Sequence, residues 1–357
     1  MKTLSLISLL LSFVFVLQPI AGLAFETDQF NLPPVPLADI GDETSEYVEQ
    51  DLREIVAKIN TEIASREACL DKTRLKKTGC GSDRYESKKL AYLRSEDAIA
   101  YKIYKSLGDG IFPFTWVGRW MTTHKFRSSP ARYKTTYLES IFVTFPTDYV
   151  TISPTVNLYG AQFGVDKIEH FFQEGYNYYN IYNSAVTGGT KPDDAQKKAV
   201  KWGQMSERTF YGTLVSGVYS NADLNANFTG LKFYLGLTRP VRIGETTRPP
   251  ILALKDGIWT FDNKADLRQV LLRPFFTEHL NEALNPSIYT FDLGSSVREI
   301  VKKQSCRQWF KVYPGLSKST LETTTNSLIL WNGEDYGYTP SKKFVTIANT
   351  CFAADGQ

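Results

Sequence analysis

The segment Asp166-Lys167-Ile168-Glu169-His170-Phe171-Phe172-Gln173-Glu174-Gly175-Tyr176 has the spacing of an amphipathic helix. Residues four apart share one face of a helix, so Asp166, His170 and Glu174 form a polar row. An apolar stripe runs beside this row and consists of Ile168, Phe171, Phe172, Gly175, Tyr179 and Tyr182. We therefore expect a core helix over residues 163–182, with a line of ionisable groups bordering its apolar side.

A second segment, Ser220-Asn221-Ala222-Asp223-Leu224-Asn225-Ala226-Asn227-Phe228-Thr229-Gly230, has the same organisation. Asp223, Asn227 and Gly230 form its polar row, and the apolar side consists of Leu224, Phe228 and Leu231. If the two helices pack through their apolar stripes, their polar rows come close to each other. Gly175 and Gly230 would allow the two backbones to approach closely.

The N-terminus has the three parts of a secretory signal peptide. Met1-Lys2-Thr3 carries a positive charge, residues 4–16 are apolar, and Gly22-Leu23-Ala24 offers small residues to a signal peptidase. The apolar run is shorter than the roughly 20 residues of a membrane-spanning helix. We expect cleavage after Ala24, export, and a soluble mature chain with no transmembrane segment.

The chain contains four cysteines, Cys69, Cys80, Cys306 and Cys351. In an exported protein an even number of cysteines indicates disulfides, and four cysteines allow three connectivities. Local pairing, Cys69 with Cys80 and Cys306 with Cys351, is the simplest. The absence of a C-x-x-C spacing argues against a metal site at these residues.

The remaining periodicity predicts a mainly α protein, with a helical bundle core, long irregular connections and at most a few short strands. Helices are expected over residues 42–67, 82–107, 191–237 (with a break near Gly203), 266–284 (interrupted at Pro274) and 295–310. Strands are expected near residues 141–145 and 149–152, and irregular structure over 239–262 and in the tail from Tyr313. The predicted regions are a signal peptide (1–24), a proline-rich extended arm (25–40), a disulfide-clamped helical hairpin (41–110), a central region with the two motif helices (111–238) and a C-terminal helical region with a disulfide-tied tail (239–357).

Composition excludes some classes of function. The net charge of +3 is too small to indicate a nucleic-acid partner. Aromatic residues make up 13% of the chain, which is typical of an aromatic core and also compatible with a groove for sugars or lipids. The sequence has no G-x-S-x-G elbow, no phosphate-binding glycine loop and no H-E-x-x-H motif. We predict no cofactor.

The two polar rows carry a family resemblance. The pattern D-K-x-x-H followed by D-x-x-x-N-x-x-G, at Asp166, Lys167 and His170 and then at Asp223, Asn227 and Gly230, resembles the two-part signature of VanZ-like proteins and of YfiM-like periplasmic proteins. The resemblance covers about a fifth of the chain and implies a role in the cell envelope, without an established reaction. Two features depart from the family: Glu174 stands where a tyrosine is frequent, and these segments are too polar to span a membrane.

Three roles are open for the constellation of His170, Asp223, Asp166 and Glu174. His170 and Asp223 would form a buried hydrogen-bonded lock between the helices, with Asn227 capping a backbone group. Alternatively, His170 would be a general acid/base oriented by a carboxylate. A third interpretation is a cation site on the same side chains, although with only three histidines in the chain a histidine-rich zinc site is not expected, and we predict no bound metal.

These observations lead to one functional hypothesis and one alternative. The protein is expected to be an exported cell-envelope protein with a binding or maintenance role, with an envelope glycan or lipid as its partner and with no prediction of its oligomeric state. The alternative is a hydrolase of such a glycan or lipid, with His170 and Asp223 in acid/base roles and a cleft opening beside Tyr176 or Tyr178. Lys167, Asn227, Tyr176 and Tyr178 are the candidate ligand-binding residues.

Overall fold

A computed structural model describes residues 26–71, 78–110, 115–144, 152–209, 212–214, 216–261 and 266–352. The predicted signal peptide and its cleavage site after Ala24 lie outside the described residues, and so does most of the strand expected at 149–152. The described residues are mainly helical, as predicted, and their strands are short. In this part of the chain no helix is long and apolar enough to cross a membrane.

The N-terminal helices form the hairpin expected from the sequence. Helix α1 (Gly41–Leu70) is followed by α2 (Asp83–Leu93) and α3 (Glu96–Ile103), which continues into a π turn, Tyr104–Gly108. The single helix predicted over 82–107 is interrupted because the Ser95 hydroxyl accepts a hydrogen bond from the amide of Ala98 and starts α3. A disulfide between Cys69 and Cys80 clamps the turn of the hairpin, which confirms that pairing.

The central region contains the two motif helices. After α4 (Trp116–Thr123), the strands β1 (Thr155–Leu158) and β2 (Ala161–Gly164) form an antiparallel hairpin that leads directly into α5 (Val165–Thr187). Helix α6 (Pro192–Glu207), strand β3 (Val218–Ser220) and helix α7 (Asn221–Gly236) follow. Helices α5 and α7 pack against each other at the centre of the main hydrophobic core.

Two predictions for this region are wrong. The helix expected over 191–237 is not broken near Gly203, which lies inside α6, but after Glu207. Gly217 has a φ of 76°, and the Ser220 hydroxyl caps the new helix by accepting from the amide of Asp223. Residues 141–144, expected to begin a strand, form a turn. The extended segment 26–32 is buried, and Thr27 pairs with Ser153.

The C-terminal region begins with two antiparallel hairpins, β4 (Val241–Ile243) with β5 (Thr246–Arg248) and β6 (Leu252–Lys255) with β7 (Ile258–Phe261). These hairpins correct the prediction of irregular structure over 239–262. Asp256 and Gly257 both have positive φ at the second turn, and an Asp-Gly pair is a strong hairpin signal. The helix predicted over 266–284 is also wrong: only α8 (Leu267–Val270) and a 3-10 turn (Glu278–Leu280) form, on either side of Pro274.

The last part of the chain builds a second, smaller hydrophobic core. Strand β8 (Ser287–Tyr289) lies between β3 and β9 (Phe344–Val345) in an antiparallel sheet. Helices α9 (Phe291–Ile300) and α10 (Cys306–Val312), which occupy the region predicted as a helix over 295–310, are joined by a π turn, Val301–Ser305. The tail expected to consist of turns also contains α11 (Lys318–Ser327) and α12 (Ile347–Cys351). The disulfide between Cys306 and Cys351 ties α12 to α10, as predicted.

Candidate functional site

Helices α5 and α7 approach each other closely at two glycines. A Cβ atom on Gly230 would lie 2.7 Å from the Cα of Gly175 and 2.1 Å from the carbonyl oxygen of Phe171. No side chain fits in that space, so the close backbone approach expected from the sequence requires glycine at these positions. This close contact brings the polar rows of α5 and α7 next to each other.

Lys167 lies where the two polar rows meet, and carboxylates surround its ammonium group. Its side chain is 0% exposed, and its Nζ lies 2.5 Å from Asp166 Oδ2, 2.6 Å from Asp223 Oδ1 and 2.7 Å from Glu282 Oε1. Burial lowers the pKa of Lys167, but attraction to the three carboxylates outweighs it and raises that pKa well above its usual value. Lys167 is therefore held as a cation by these three carboxylates, and its ligand-binding role stays a prediction.

His170 is hydrogen-bonded to Asn227. The Nδ1 atom lies 3.1 Å from Asn227 Oδ1, whereas Nε2 faces Asp223 Oδ2 at 3.7 Å, which is too long for a hydrogen bond. The lock predicted between His170 and Asp223 is therefore made by His170 and Asn227 instead. Asn227 does not cap a backbone group, because its oxygen is used by the imidazole. Asp223 is held by Lys167.

Three buried carboxyl groups that the sequence interpretation missed complete the site. Glu26 lies at the start of the extended arm, Glu207 ends α6, and Glu282 lies just after the 3-10 turn; each side chain is at most 2% exposed. The two motif helices do not predict these carboxyls: Glu26 lies in the extended arm, Glu207 in the region expected as a long helix, and Glu282 near the end of the helix expected over 266–284. We call the whole cluster the polar centre; it consists of Glu26, Asp166, Lys167, His170, Glu207, Asp223, Asn227 and Glu282.

The polar centre contains more carboxyl groups than cations. Burial and repulsion from Glu282 raise the pKa of Glu26 well above its usual value. Burial and repulsion from Asp223 do the same to the pKa of Glu207. Burial raises the pKa of Glu282 to about 6, although attraction to Lys167 lowers it. Folding therefore favours the protonated forms of these groups, and perturbed carboxyls of this kind are concentrated at functional sites.

The remaining predicted residues lie on two sides of α5. Tyr178 is buried beside α6, where the hydroxyl of Tyr178 would lie 1.6 Å from a Cβ on Gly203. Glu174 accepts a hydrogen bond from Asn177 at 3.0 Å and contributes to the raised pKa of Glu207. Tyr176 lies on the other side of the helix and stacks on Tyr104 with ring centroids 4.4 Å apart. Tyr178 therefore borders the polar centre, and Tyr176 does not.

Two groups of side chains in the described residues have a spacing that suits a metal ion. One consists of Asp166, Asp223 and Glu282, and the other of His170, Glu207 and Asp223; in each, the ligand atoms lie within 4.8 Å of one another. The first group already surrounds the ammonium of Lys167. The second group contains nitrogen and carboxylate ligands of the kind that binds borderline divalent cations.

A pocket of about 210 Å³ lies next to the polar centre. Its lining includes Gln29, whose Oε1 accepts a hydrogen bond from the amide of Glu282 at 2.6 Å. The Nε2 of Gln29 donates to the carbonyl of Gln162, a second lining residue, at 3.1 Å. The aromatic side chains of Trp309 and Tyr313 face the same pocket, with ring centroids 5.4 Å apart. Gln29 thus links a polar and aromatic pocket to the polar centre.

In comparisons with known proteins, no family model, no curated protein and no solved structure matches this chain.

Proposed function

We propose that this protein is exported and has a binding or maintenance role in the cell envelope, with an envelope glycan as its ligand. The signal-peptide pattern, the two disulfides and the resemblance to VanZ-like and YfiM-like proteins support the location. Disulfides persist in oxidising compartments, which an exported chain enters. The resemblance supports the same location through the two halves of its pattern, which pack together on α5 and α7.

The observation that carries the functional role is the polar centre. Five buried carboxyl groups, on Glu26, Asp166, Glu207, Asp223 and Glu282, belong to the polar centre, and three of them (Asp166, Asp223 and Glu282) pair with its one buried ammonium. Buried charges destabilise a fold unless they are paired, and apolar side chains of similar volume would serve stability equally well or better. A surplus of buried carboxyls is therefore more easily explained by a ligand or a reaction than by stability.

The pocket beside Gln29 supports a glycan as the ligand. The polar side chains of Asn31, Gln162 and Thr324 also line it, and Tyr313 is 41% exposed. A concave site that combines aromatic surface with a few polar groups binds small ligands by apolar contact and orients them by hydrogen bonds. A sugar has both an apolar face and several hydroxyl groups, which fits this lining.

Export is tested by following the full chain in cell fractions. We expect a mature chain that begins at Phe25, measured by mass spectrometry, in the periplasm or medium, with both disulfides intact. Uncleaved chain retained in the cytoplasm would contradict the proposal at its first step.

Glycan binding is tested with soluble oligosaccharide fragments of cell-wall peptidoglycan, measured by calorimetry. We expect Tyr313→Ala to weaken binding at least tenfold, because it removes aromatic surface from the pocket. Tyr85→Ala is the matched control, since Tyr85 is 51% exposed on α2 and does not line the pocket. Equal affinities of the two variants, or no binding of any fragment, would refute the proposed ligand.

A hydrolase is the second candidate, and the geometry of His170 favours it. With Nδ1 bonded to Asn227, the Nε2 of a neutral imidazole is free to accept a proton beside Asp223. Against it, Tyr178 is 0% exposed, so the cleft expected beside this residue is not open there. Release of reducing ends from peptidoglycan by the native protein, lost in His170→Gln, would establish hydrolysis; no release by the native protein would exclude it for this substrate.

A further inference from the structure

We propose that His170, Glu207 and Asp223 bind one divalent cation of the borderline type, such as Zn²⁺ or Mn²⁺. The inference rests on the proposed functional role of the polar centre, but not on export or on the glycan. Its ligands are one imidazole nitrogen of His170 on α5, one carboxylate oxygen of Asp223 on α7 and one carboxylate oxygen of Glu207 at the end of α6.

The hydrogen bond to Asn227 prepares His170 for metal binding. In the orientation of the Asn227 amide, its oxygen faces Nδ1 at 3.1 Å, so Nδ1 carries the proton. A neutral imidazole then has its lone pair on Nε2, and that lone pair points toward Asp223 Oδ2 at 3.7 Å. A divalent cation placed between these two atoms would be coordinated by both of them. A metal-ligating histidine usually has its other nitrogen fixed in this way by a hydrogen-bond acceptor.

Glu207 supplies an independent reason for a cation. Its side chain is 1% exposed and its Oε2 accepts a long hydrogen bond from the amide of Ser220 at 3.5 Å. Its Oε1 has no hydrogen-bond partner among the described residues. A buried carboxyl oxygen without a partner is energetically unfavourable, and a cation that displaces the proton of Glu207 gives that oxygen a ligand bond.

The distances fit a three-ligand site. Ligand atoms about 2.1 Å from a tetrahedral metal are about 3.4 Å from each other. The observed 3.7 Å between His170 Nε2 and Asp223 Oδ2 is close to this value, and the carboxylate of Glu207 completes a group whose ligand atoms all lie within 4.8 Å. Three protein ligands leave a fourth position for water or for a substrate atom, which is the arrangement of catalytic rather than structural zinc sites.

Few other cysteine or histidine side chains could bind zinc, so zinc bound at His170 can be distinguished from zinc bound elsewhere. All four cysteines are in disulfides. The other two histidines are His124, which lies 2.9 Å from Glu43, and His279. His124 and Glu43 therefore form a matched surface pair of the same residue types.

We would titrate the untagged, metal-free protein with Zn²⁺ and with Mn²⁺ by calorimetry. We expect one cation per chain, and at least tenfold weaker binding in His170→Gln and in Glu207→Gln. His124→Gln and Glu169→Gln are the controls and should bind as the native protein does. Glu169 is buried on α5, next to His170 in the sequence, but its carboxylate accepts hydrogen bonds from Thr115.

A second measurement uses the native protein and does not depend on how the variants fold. The imidazole protons of the three histidines are followed by NMR during the Zn²⁺ titration, and we expect the His170 signals to shift in proportion to bound metal. Shifts confined to His124 or His279, or an absence of binding by both cations, would overturn the site. Peptidoglycan binding without zinc binding would leave the proposed function in place and remove only this inference.

Discussion

At the scale of single residues, Lys167 decides whether the polar centre is stable. Its ammonium pairs with Asp166, Asp223 and Glu282, and all four groups are buried. Lys167→Met removes the cation and leaves the three carboxyls without it. We expect this variant to lose about 3–5 kcal/mol in the free energy of unfolding at pH 7, measured by urea unfolding.

The cost of Lys167→Met should shrink at pH 5, because Glu282, with a pKa of about 6, is then protonated. Lys58→Met is the control: Lys58 pairs with Glu54 on the surface of α1, and exposed pairs contribute about 0–1 kcal/mol. Similar losses in the two variants would mean that the buried pairing does not stabilise the fold.

His279 gives a prediction of the pH dependence of stability. Burial lowers its pKa below the usual 6.5, and the hydrogen bond to the carbonyl of Leu330 opposes this only in part. The unfolded chain therefore binds more protons than the folded chain as the pH falls through 6.5, and stability decreases on the acid side. We expect His279→Gln to lose less of its unfolding free energy than the native protein between pH 7.5 and pH 5.5. Equal losses in the two proteins would contradict the assigned burial of the imidazole.

The sequence predicted the residues of the polar centre that stand on periodic helices. Asp166, His170, Asp223 and Asn227 follow from the four-residue spacing of α5 and α7. It did not predict Glu26 or Glu282, because their place in the cluster depends on chain segments more than a hundred residues apart, such as Glu282 with Lys167. It did not predict Glu207 either, because the break between α6 and α7 that brings this residue back toward Asp223 was not recognised. It also paired His170 with Asp223, since spacing alone does not decide between Asp223 and Asn227, which lie one turn apart.

At the scale of elements, the contact between α5 and α7 depends on Gly230. Alanine has the higher helix propensity, by about 1 kcal/mol. This gain is smaller than the cost of the overlap, because the added Cβ would lie 2.1 Å from the carbonyl oxygen of Phe171 and backbone atoms cannot move aside independently. We expect Gly230→Ala to lose about 1–3 kcal/mol of stability, measured by urea unfolding.

Gly294→Ala is the matched control for Gly230→Ala. Gly294 lies inside α9, and a Cβ there would meet its nearest atoms at 3.6 Å, an ordinary contact. Here the helix propensity should prevail, and the variant should be unchanged or more stable by up to about 1 kcal/mol. Destabilisation of both variants by the same amount would show that the close packing at Gly230 is not the cause.

The elements that the sequence predicted well are those with long apolar periodicity. Helices α1 and α5 lie where periodicity places them, because each buries one continuous stripe. The hairpins after α7 were missed because their strands are only three or four residues long. Such strands are too short for alternation to be recognised, and the Asp256-Gly257 pair was the one local signal.

At the scale of the whole molecule, the segments around the motif helices bring the polar centre together. The buried arm contributes Glu26, and the turn before β8 contributes Glu282. Strand β3 joins the smaller core to α7, since it pairs with β8 just before Asn221 begins the helix. The smaller core therefore helps to position the start of α7, which carries Asp223 and Asn227 of the polar centre.

The disulfide between Cys306 and Cys351 should stabilise the molecule more than the one between Cys69 and Cys80. In the chain-entropy description a crosslink restricts the unfolded chain by an amount that grows with the loop it closes. The sequence separations are 45 and 11 residues, which correspond to about 4 and about 2.8 kcal/mol. The longer crosslink also fixes α12 against α10 in the smaller core, so its removal exposes apolar surface there. We therefore expect the double variant Cys306→Ser/Cys351→Ser to unfold at a lower temperature than Cys69→Ser/Cys80→Ser in parallel calorimetric scans. The opposite order would mean that the helical hairpin, rather than the C-terminal core, limits the stability of the protein.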